Sequence, residues 1–164
     1  MKPLMWALVV VVSLLIQATL LPLVAVGGVK PDLLLLVVVS SGLLLGREHG
    51  VGMGFFAGLL QDLASGNIFG ANVLSKMATG FVAGSMERKV FKENVLLPVL
   101  AVMAATVFNG AVMLAVMAIL GMGVEWSASL AHTLFVTGYN VVLAIPVHQA
   151  VYRLARSELA DKSE

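Results

Sequence analysis

The distribution of basic residues constrains this chain more than any other feature. Eight of its ten Lys and Arg residues fall in alternate gaps between long apolar runs. These residues are Lys2, Arg47, Arg88, Lys89, Lys92, Arg153, Arg156 and Lys162. The intervening gaps hold only Lys30, and Lys76 lies inside an apolar run. Because the loops of membrane proteins that stay in the cytoplasm are enriched in Lys and Arg, the alternation predicts an all-α membrane protein with both termini in the cytoplasm.

The composition agrees with a chain that lies almost wholly in a bilayer. Hydrophobic residues make up 60% of it and charged residues 12%, about half the charged fraction of a soluble domain. Six spans of about 20 residues would use most of the 164 residues. The sequence therefore predicts one transmembrane domain over residues 1–156 and a short charged cytoplasmic tail over residues 157–164. The absence of cysteine excludes disulfides and thiolate metal sites.

Clusters of Gly, Pro and polar residues divide the chain into six predicted transmembrane helices. Their ranges are 3–26, 32–46, 50–64, 72–86, 95–121 and 127–152. Arg47, Glu48 and His49 are predicted to form a tight polar turn, and residues 87–94 the largest polar connection. The second and third spans are short for a bilayer core of about 30 Å, so a re-entrant hairpin is the alternative. The charge of Arg47 disfavours that alternative, because it would lie inside the membrane.

Two rows of residues at four-residue spacing predict a close contact between the third and fourth spans. Such rows of glycine let two helix backbones approach each other. The first row is Gly46, Gly50, Gly54, Gly58 and Asp62, and the second is Asn72, Lys76, Gly80 and Gly84. If the rows face each other, Asp62 and Lys76 form an ion pair near the outer end of the two helices. Such a pair is either structural or, because charge inside a membrane is costly, directly functional.

The other candidate polar residues inside the membrane are Asn109, Tyr139 and Asn140. Asn140 precedes Pro146, whose ring removes a backbone hydrogen bond and bends a helix. Interhelical hydrogen bonding is the expected role of these residues, with ligand binding as the alternative. The sequence contains no His-Glu-x-x-His, Gly-x-Ser-x-Gly or phosphate-loop motif, so no catalytic, cofactor-binding or metal-binding residue is predicted.

The order of several motifs resembles the rod shape-determining MreD family. The motifs are Lys30-Pro31-Asp32 followed by four leucines, Gly46-Arg47-Glu48, the Gly50 to Asp62-Leu63 row with Phe55 and Leu59, Gly70-x-x-x-Leu74, Gly80, Asn109, and Tyr139-Asn140. The resemblance covers about residues 4–156. Residues 31–84 carry most of its specificity, because their glycines stand in a fixed order with Pro31, Asp32 and Asp62.

The resemblance implies a non-catalytic scaffold of the cell-elongation machinery in the bacterial inner membrane. Members of this family act with MreC, a single-span protein with a large periplasmic domain, and with the actin-like MreB. The assembly organises RodA and its penicillin-binding transpeptidase partner, so that peptidoglycan is inserted along the side wall. Docking of the MreC span within the bilayer is the expected mechanism, and a homodimer is compatible with it.

The family is also similar in fold to the substrate-binding subunits of energy-coupling-factor vitamin transporters, which is the alternative function. Those subunits typically carry Ala-x-x-x-Ala on the first helix. Here Ala7 and Ala18 stand too far apart, and the pair Ala101 and Ala105 falls on the fifth span. Aromatic residues, which a vitamin site would need, are only 7% of the chain. The sequence therefore favours the scaffold.

Overall fold

The computed structural model describes residues 2–66, 68–86 and 96–161, and this part of the chain is helical. Its six α-helices are α1 (Lys2–Thr19), α2 (Leu33–Leu45), α3 (Arg47–Ser65), α4 (Ala71–Ser85), α5 (Leu96–Ile119) and α6 (Trp126–Asp161). A short 3-10 helix, Leu21–Val24, follows α1, and one isolated bridge pairs Val26 with Val29. The described ranges contain no β-strand.

The second helix is the centre of the bundle. Every residue of α2 from Leu34 to Leu45 is buried, and each of the other five α-helices packs against it. A helix that is apolar on all sides belongs in an interior rather than at a surface. One cluster around α2 includes Trp6 and Val10 of α1, and a second includes Val102 of α5 and Ala144 of α6.

Three arginines of the described residues, Arg47, Arg153 and Arg156, lie at one end of the fold. The cluster that holds Trp6 also holds Leu45, Val151 and Ala155, so the start of α1 and the ends of α2 and α6 meet there. Arg47 begins α3 at this end, and Arg153 and Arg156 lie exposed beside it on α6. Lys30 lies exposed before the start of α2, at the opposite end.

Two predicted boundaries in the first half of the chain are wrong. The first helix ends at Thr19 rather than Val26, because Pro22 and the left-handed glycines at 27 and 28 (φ +60° and +80°) turn the chain. Arg47, Glu48 and His49 form no separate turn but the first turn of α3. Gly46, at φ +97°, makes the whole connection from α2 to α3 by itself.

The last helix extends past the predicted span into the predicted charged tail. It continues without interruption to Asp161, beyond the predicted end at residue 152, and Pro146 lies inside it. Its 36 residues rise about 54 Å. The predicted polar connection at residues 87–94 lies outside the described residues.

Two stretches of the described chain are long and apolar enough to cross a membrane, Leu96–Ile119 and Trp126–Arg156. The apolar helices Pro3–Thr19 and Leu33–Leu45 are shorter.

Candidate functional site

The contact between α3 and α4 is formed by backbone against backbone. A methyl group added at Gly50 would overlap the carbonyl oxygen of Gly80, and one added at Gly80 would overlap that of Gly50. Gly54 lies in the same way against the carbonyl of Lys76. A Cβ atom at Gly58 would stand 2.5 Å from the carbonyl oxygen of Asn72. The two predicted rows therefore face each other along the whole contact.

Helix α2 joins this contact at the end where Arg47 begins α3. A Cβ atom at Gly42 of α2 would lie 3.1 Å from the carbonyl oxygen of Gly80 and 3.2 Å from the amide nitrogen of Gly84. One at Gly84 would lie 2.5 Å from Cα of Arg47. Glycine thus allows the backbones of α2, α3 and α4 to meet at one place, which fixes these three helices as a unit.

The interior of the bundle contains an ion pair between α2 and α4. Lys76 Nζ lies 2.8 Å from Asp32 Oδ2, and the lysine side chain is completely buried while that of Asp32 is 16% exposed. Asp32 is also the N-cap of α2, since its Oδ1 accepts a hydrogen bond from the Leu35 amide at 2.9 Å. A buried ammonium group requires such a partner, because an unpaired charge in an apolar interior is strongly unfavourable.

Side chains from α1 and α6 accept hydrogen bonds from amides at the start of α2. Gln17 Oε1 accepts a hydrogen bond from the Leu34 amide at 3.1 Å, and Asn140 Oδ1 accepts one from the Asp32 amide at 2.9 Å. The first amides of any helix lack partners within that helix. Here four helices contribute: α1 through Gln17, α2 through Asp32, α4 through Lys76 and α6 through Asn140.

Asn140 extends this network to α5. It is fully buried, and its Nδ2 donates to Thr106 Oγ1 at 3.1 Å. Thr106 Oγ1 in turn donates to the Val102 carbonyl oxygen at 2.8 Å. Both ends of the Asn140 amide therefore make interhelical hydrogen bonds, the arrangement expected for this residue from the sequence. We call Gln17, Asp32, Lys76, Thr106 and Asn140 the α2 clasp.

The predicted pairing of Asp62 with Lys76 is wrong. Asp62 is buried, and its two carboxylate oxygens accept hydrogen bonds from the amides of Gly70, Asn72 and Val73 and from the side chain of Asn72, at 2.8–3.2 Å. It therefore holds the start of α4 rather than pairing with its lysine. Lys76 lies about one turn further along α4 and reaches α2 instead.

The remaining predicted polar residues have different surroundings. Tyr139 lies on α6, and its hydroxyl donates to the Val24 carbonyl oxygen at 3.0 Å, joining α6 to the connection after α1. The buried Asn109 Oδ1 on α5 has no hydrogen-bond partner within the described residues. In the same part of the chain, no group of three or more His, Asp or Glu residues could hold a metal ion.

Sequence reasoning missed Gln17 and Thr106 and named Asp32 only as part of the Lys30-Pro31-Asp32 motif. The hydrogen bonds of this network join residues that lie 17 to 108 positions apart on different helices. The period of a helix relates only residues that are close in sequence, so it could not predict these contacts. No pattern in the sequence singled out Asp32 over Asp62 as the partner of Lys76.

The chain matches the family described as rod shape-determining protein MreD over residues 1–157. No curated protein and no solved structure matches it. The match covers α1 to α5 and α6 as far as residue 157, including the glycine contact and every residue of the α2 clasp. The chain therefore belongs to the rod shape-determining protein MreD family.

Proposed function

We propose that this protein is a non-catalytic scaffold of the cell-elongation machinery, with six spans in the bacterial inner membrane and both termini in the cytoplasm. It binds the single transmembrane helix of MreC within the bilayer. Through MreC and MreB it helps to organise RodA and its penicillin-binding transpeptidase partner for side-wall peptidoglycan synthesis.

The observation that carries this proposal is the family match over residues 1–157, which implies a role in rod shape determination. The interior chemistry supports a structural role. Lys76 pairs with Asp32, Asp62 accepts four hydrogen bonds, and Asn140 bonds at both ends of its amide. These groups hold helices together, as polar residues between membrane helices commonly do.

The basic end of the bundle supports this orientation. Arg47, Arg153 and Arg156 share one end, and an excess of Lys and Arg marks the cytoplasmic side of a membrane protein. The five remaining basic residues of the predicted cytoplasmic gaps are consistent with the same side.

Cysteine labelling tests this topology, and the chain has no cysteine of its own to interfere. Single cysteines at Asn67 and Gly123 are expected to react with a membrane-impermeant thiol reagent applied to the periplasmic side of intact spheroplasts. Single cysteines at Glu48, Lys92 and Ser163 are expected to react only after the membrane is permeabilised. Labelling at Lys92 from outside would reverse the orientation.

Purification and depletion test the scaffold role. Affinity purification from cells that express MreC is expected to recover MreC in comparable molar amount, and depletion in a rod-shaped host is expected to produce round cells. Mass spectrometry of the purified protein is the control for the alternative function. A tightly bound vitamin in stoichiometric amount, with cell shape unchanged on depletion, would contradict the scaffold.

A further inference from the structure

The surface between α1 and α6 carries an apolar groove. Both helices pack on α2, and this open groove of about 280 Å³ remains between them. Val9 and Ser13 form its α1 wall, residues from Leu143 to Leu154 form its α6 wall, and Leu33 and Val37 form its floor. We call this surface the α1–α6 seam.

Beyond the groove, the connection between α1 and α2, residues 20–32, lies beside α6. Its chain is non-helical from Ala25 onward, and two hydrogen bonds between Val26 and Val29 close its tip at Gly27 and Gly28. Leu23 is 80% exposed and Val26 is 67% exposed. The connection lies against α6, because Tyr139 donates a hydrogen bond to Val24.

This connection lies deep alongside α6. Asn140, which accepts from the Asp32 amide, stands 14 residues from Trp126 and therefore about 21 Å from that end of α6. Tyr139 is one residue nearer the same end. The apolar stretches of α5 and α6 that are long enough to cross a membrane include Thr106 and Asn140. The connection thus lies beside the interior of these helices and not beyond their outer end.

Neither lipid nor water alone can cover this connection favourably. Irregular backbone cannot face hydrocarbon, because its amides and carbonyls would lack partners. Water would meet those groups but would leave Leu23 and Val26 as exposed apolar surface, which usually marks an interaction site. A protein surface can cover both, because its polar side chains bond to the backbone groups and its apolar side chains pack on Leu23 and Val26.

The outward faces of α3, α4 and α5 do not need a protein partner to bond their backbone groups. Phe56 on α3, Phe81 on α4 and Leu100 on α5 are exposed on regular helices, whose backbone groups are bonded within the helix. Lipid is sufficient to cover these faces.

The groove and the connection together extend along much of one transmembrane helix. From Leu154 at one end of the groove to Tyr139, which bonds to the connection, α6 rises through 15 residues, or about 22 Å. The hydrocarbon core of a bilayer is about 30 Å thick. We propose that the α1–α6 seam is the docking surface for the transmembrane helix of a single-span partner, with apolar side chains in the groove and polar ones against residues 20–32. This assignment rests on the scaffold function proposed above.

Two alanines that are both exposed on long helices provide a matched test. Ala150 lines the groove on α6, and Ala104 faces outward on α5. Ala150→Phe is expected to fill the groove and to lower the amount of MreC that co-purifies at least tenfold. Ala104→Phe is expected to leave it within twofold of the unsubstituted protein. Because both sites are exposed, both variants should keep the thermal unfolding midpoint of the parent.

Site-specific photo-crosslinking in the same cells identifies the face directly. A photoreactive residue at Leu23 or Ala150 is expected to crosslink to MreC, whereas one at Phe56 or Leu100 is not. If MreC co-purifies but crosslinks from Phe56 or Leu100, or if Leu23 and Ala150 form adducts with lipid alone, the seam assignment is wrong and the scaffold function stands. If no MreC co-purifies with the unsubstituted protein, both proposals fail.

Discussion

Replacing Gly50 by alanine is expected to prevent α3 and α4 from packing, and to do so more severely than any substitution on the outward faces of these helices. The added methyl would overlap the Gly80 carbonyl oxygen, and no flexible side chain can move away, because the obstruction is backbone. Overpacking a close contact costs about 1–3 kcal/mol, occasionally more. Here we expect the upper end of that range or beyond, with most of the expressed protein misfolded.

Gly52 is the matched control, two positions along the same helix. A Cβ atom there meets nothing within 4 Å, so Gly52→Ala should leave folding unchanged or slightly improve it, since alanine favours a helix over glycine by about 1 kcal/mol in water. Folding is measured by monodispersity on size exclusion and by the unfolding midpoint in detergent or bilayer. Equal behaviour of the two variants would show that the glycine contact is not as close as described.

Replacing Lys76 by methionine is expected to have the second large effect. The change leaves the Asp32 carboxylate inside the bundle without its cation. Removal of one partner of a buried ion pair costs about 3–5 kcal/mol. We expect Asp32→Asn, which leaves the buried ammonium unpaired, to be destabilising as well.

The double variant Asp32→Asn with Lys76→Met distinguishes pairing from a general loss of polarity. It removes both charges and keeps an acceptor on residue 32 for the Leu35 amide, so it should be more stable than Lys76→Met alone. Exchange of charge between positions 62 and 76, by contrast, should not rescue either single variant, because Asp62 bonds to the start of α4. Rescue by that exchange, measured as recovery of the unfolding midpoint, would contradict the α2 clasp.

The glycine contact could be predicted from the sequence because its information is local. Gly50, Gly54 and Gly58 repeat with the period of a helix face, and a short turn makes α3 and α4 antiparallel neighbours. The helical boundaries at Thr19 and Gly46 were harder to predict. A run of apolar residues continues past Thr19, and hydropathy alone does not distinguish a helix from the 3-10 turn and glycine tip that follow it.

The partner of Lys76 could not be predicted from the sequence. Asp32 and Asp62 were both available, and only the packing of the helices determines which of them Lys76 reaches. Asp62 was the nearer in sequence and lay in the facing row. In the folded chain it is fully occupied by the amides at the start of α4, while Asp32 is brought to Lys76 by the packing of α2 against α4. The prediction considered only α3 and α4, whereas α2 also packs against α4 and supplies the partner of Lys76.

The α2 clasp also imposes an order on biosynthesis. Asp32 is translated 44 residues before Lys76 and 108 residues before Asn140. At about 5–20 residues per second, the carboxylate and the first amides of α2 wait roughly 5–20 s for their last partner, and the helix cannot take its final place until α6 has been made. During this interval the growing chain must leave the start of α2 in the translocation channel, with an insertion factor, or in contact with water. Mutations that weaken the clasp should therefore reduce the yield of inserted protein even where the finished bundle tolerates them.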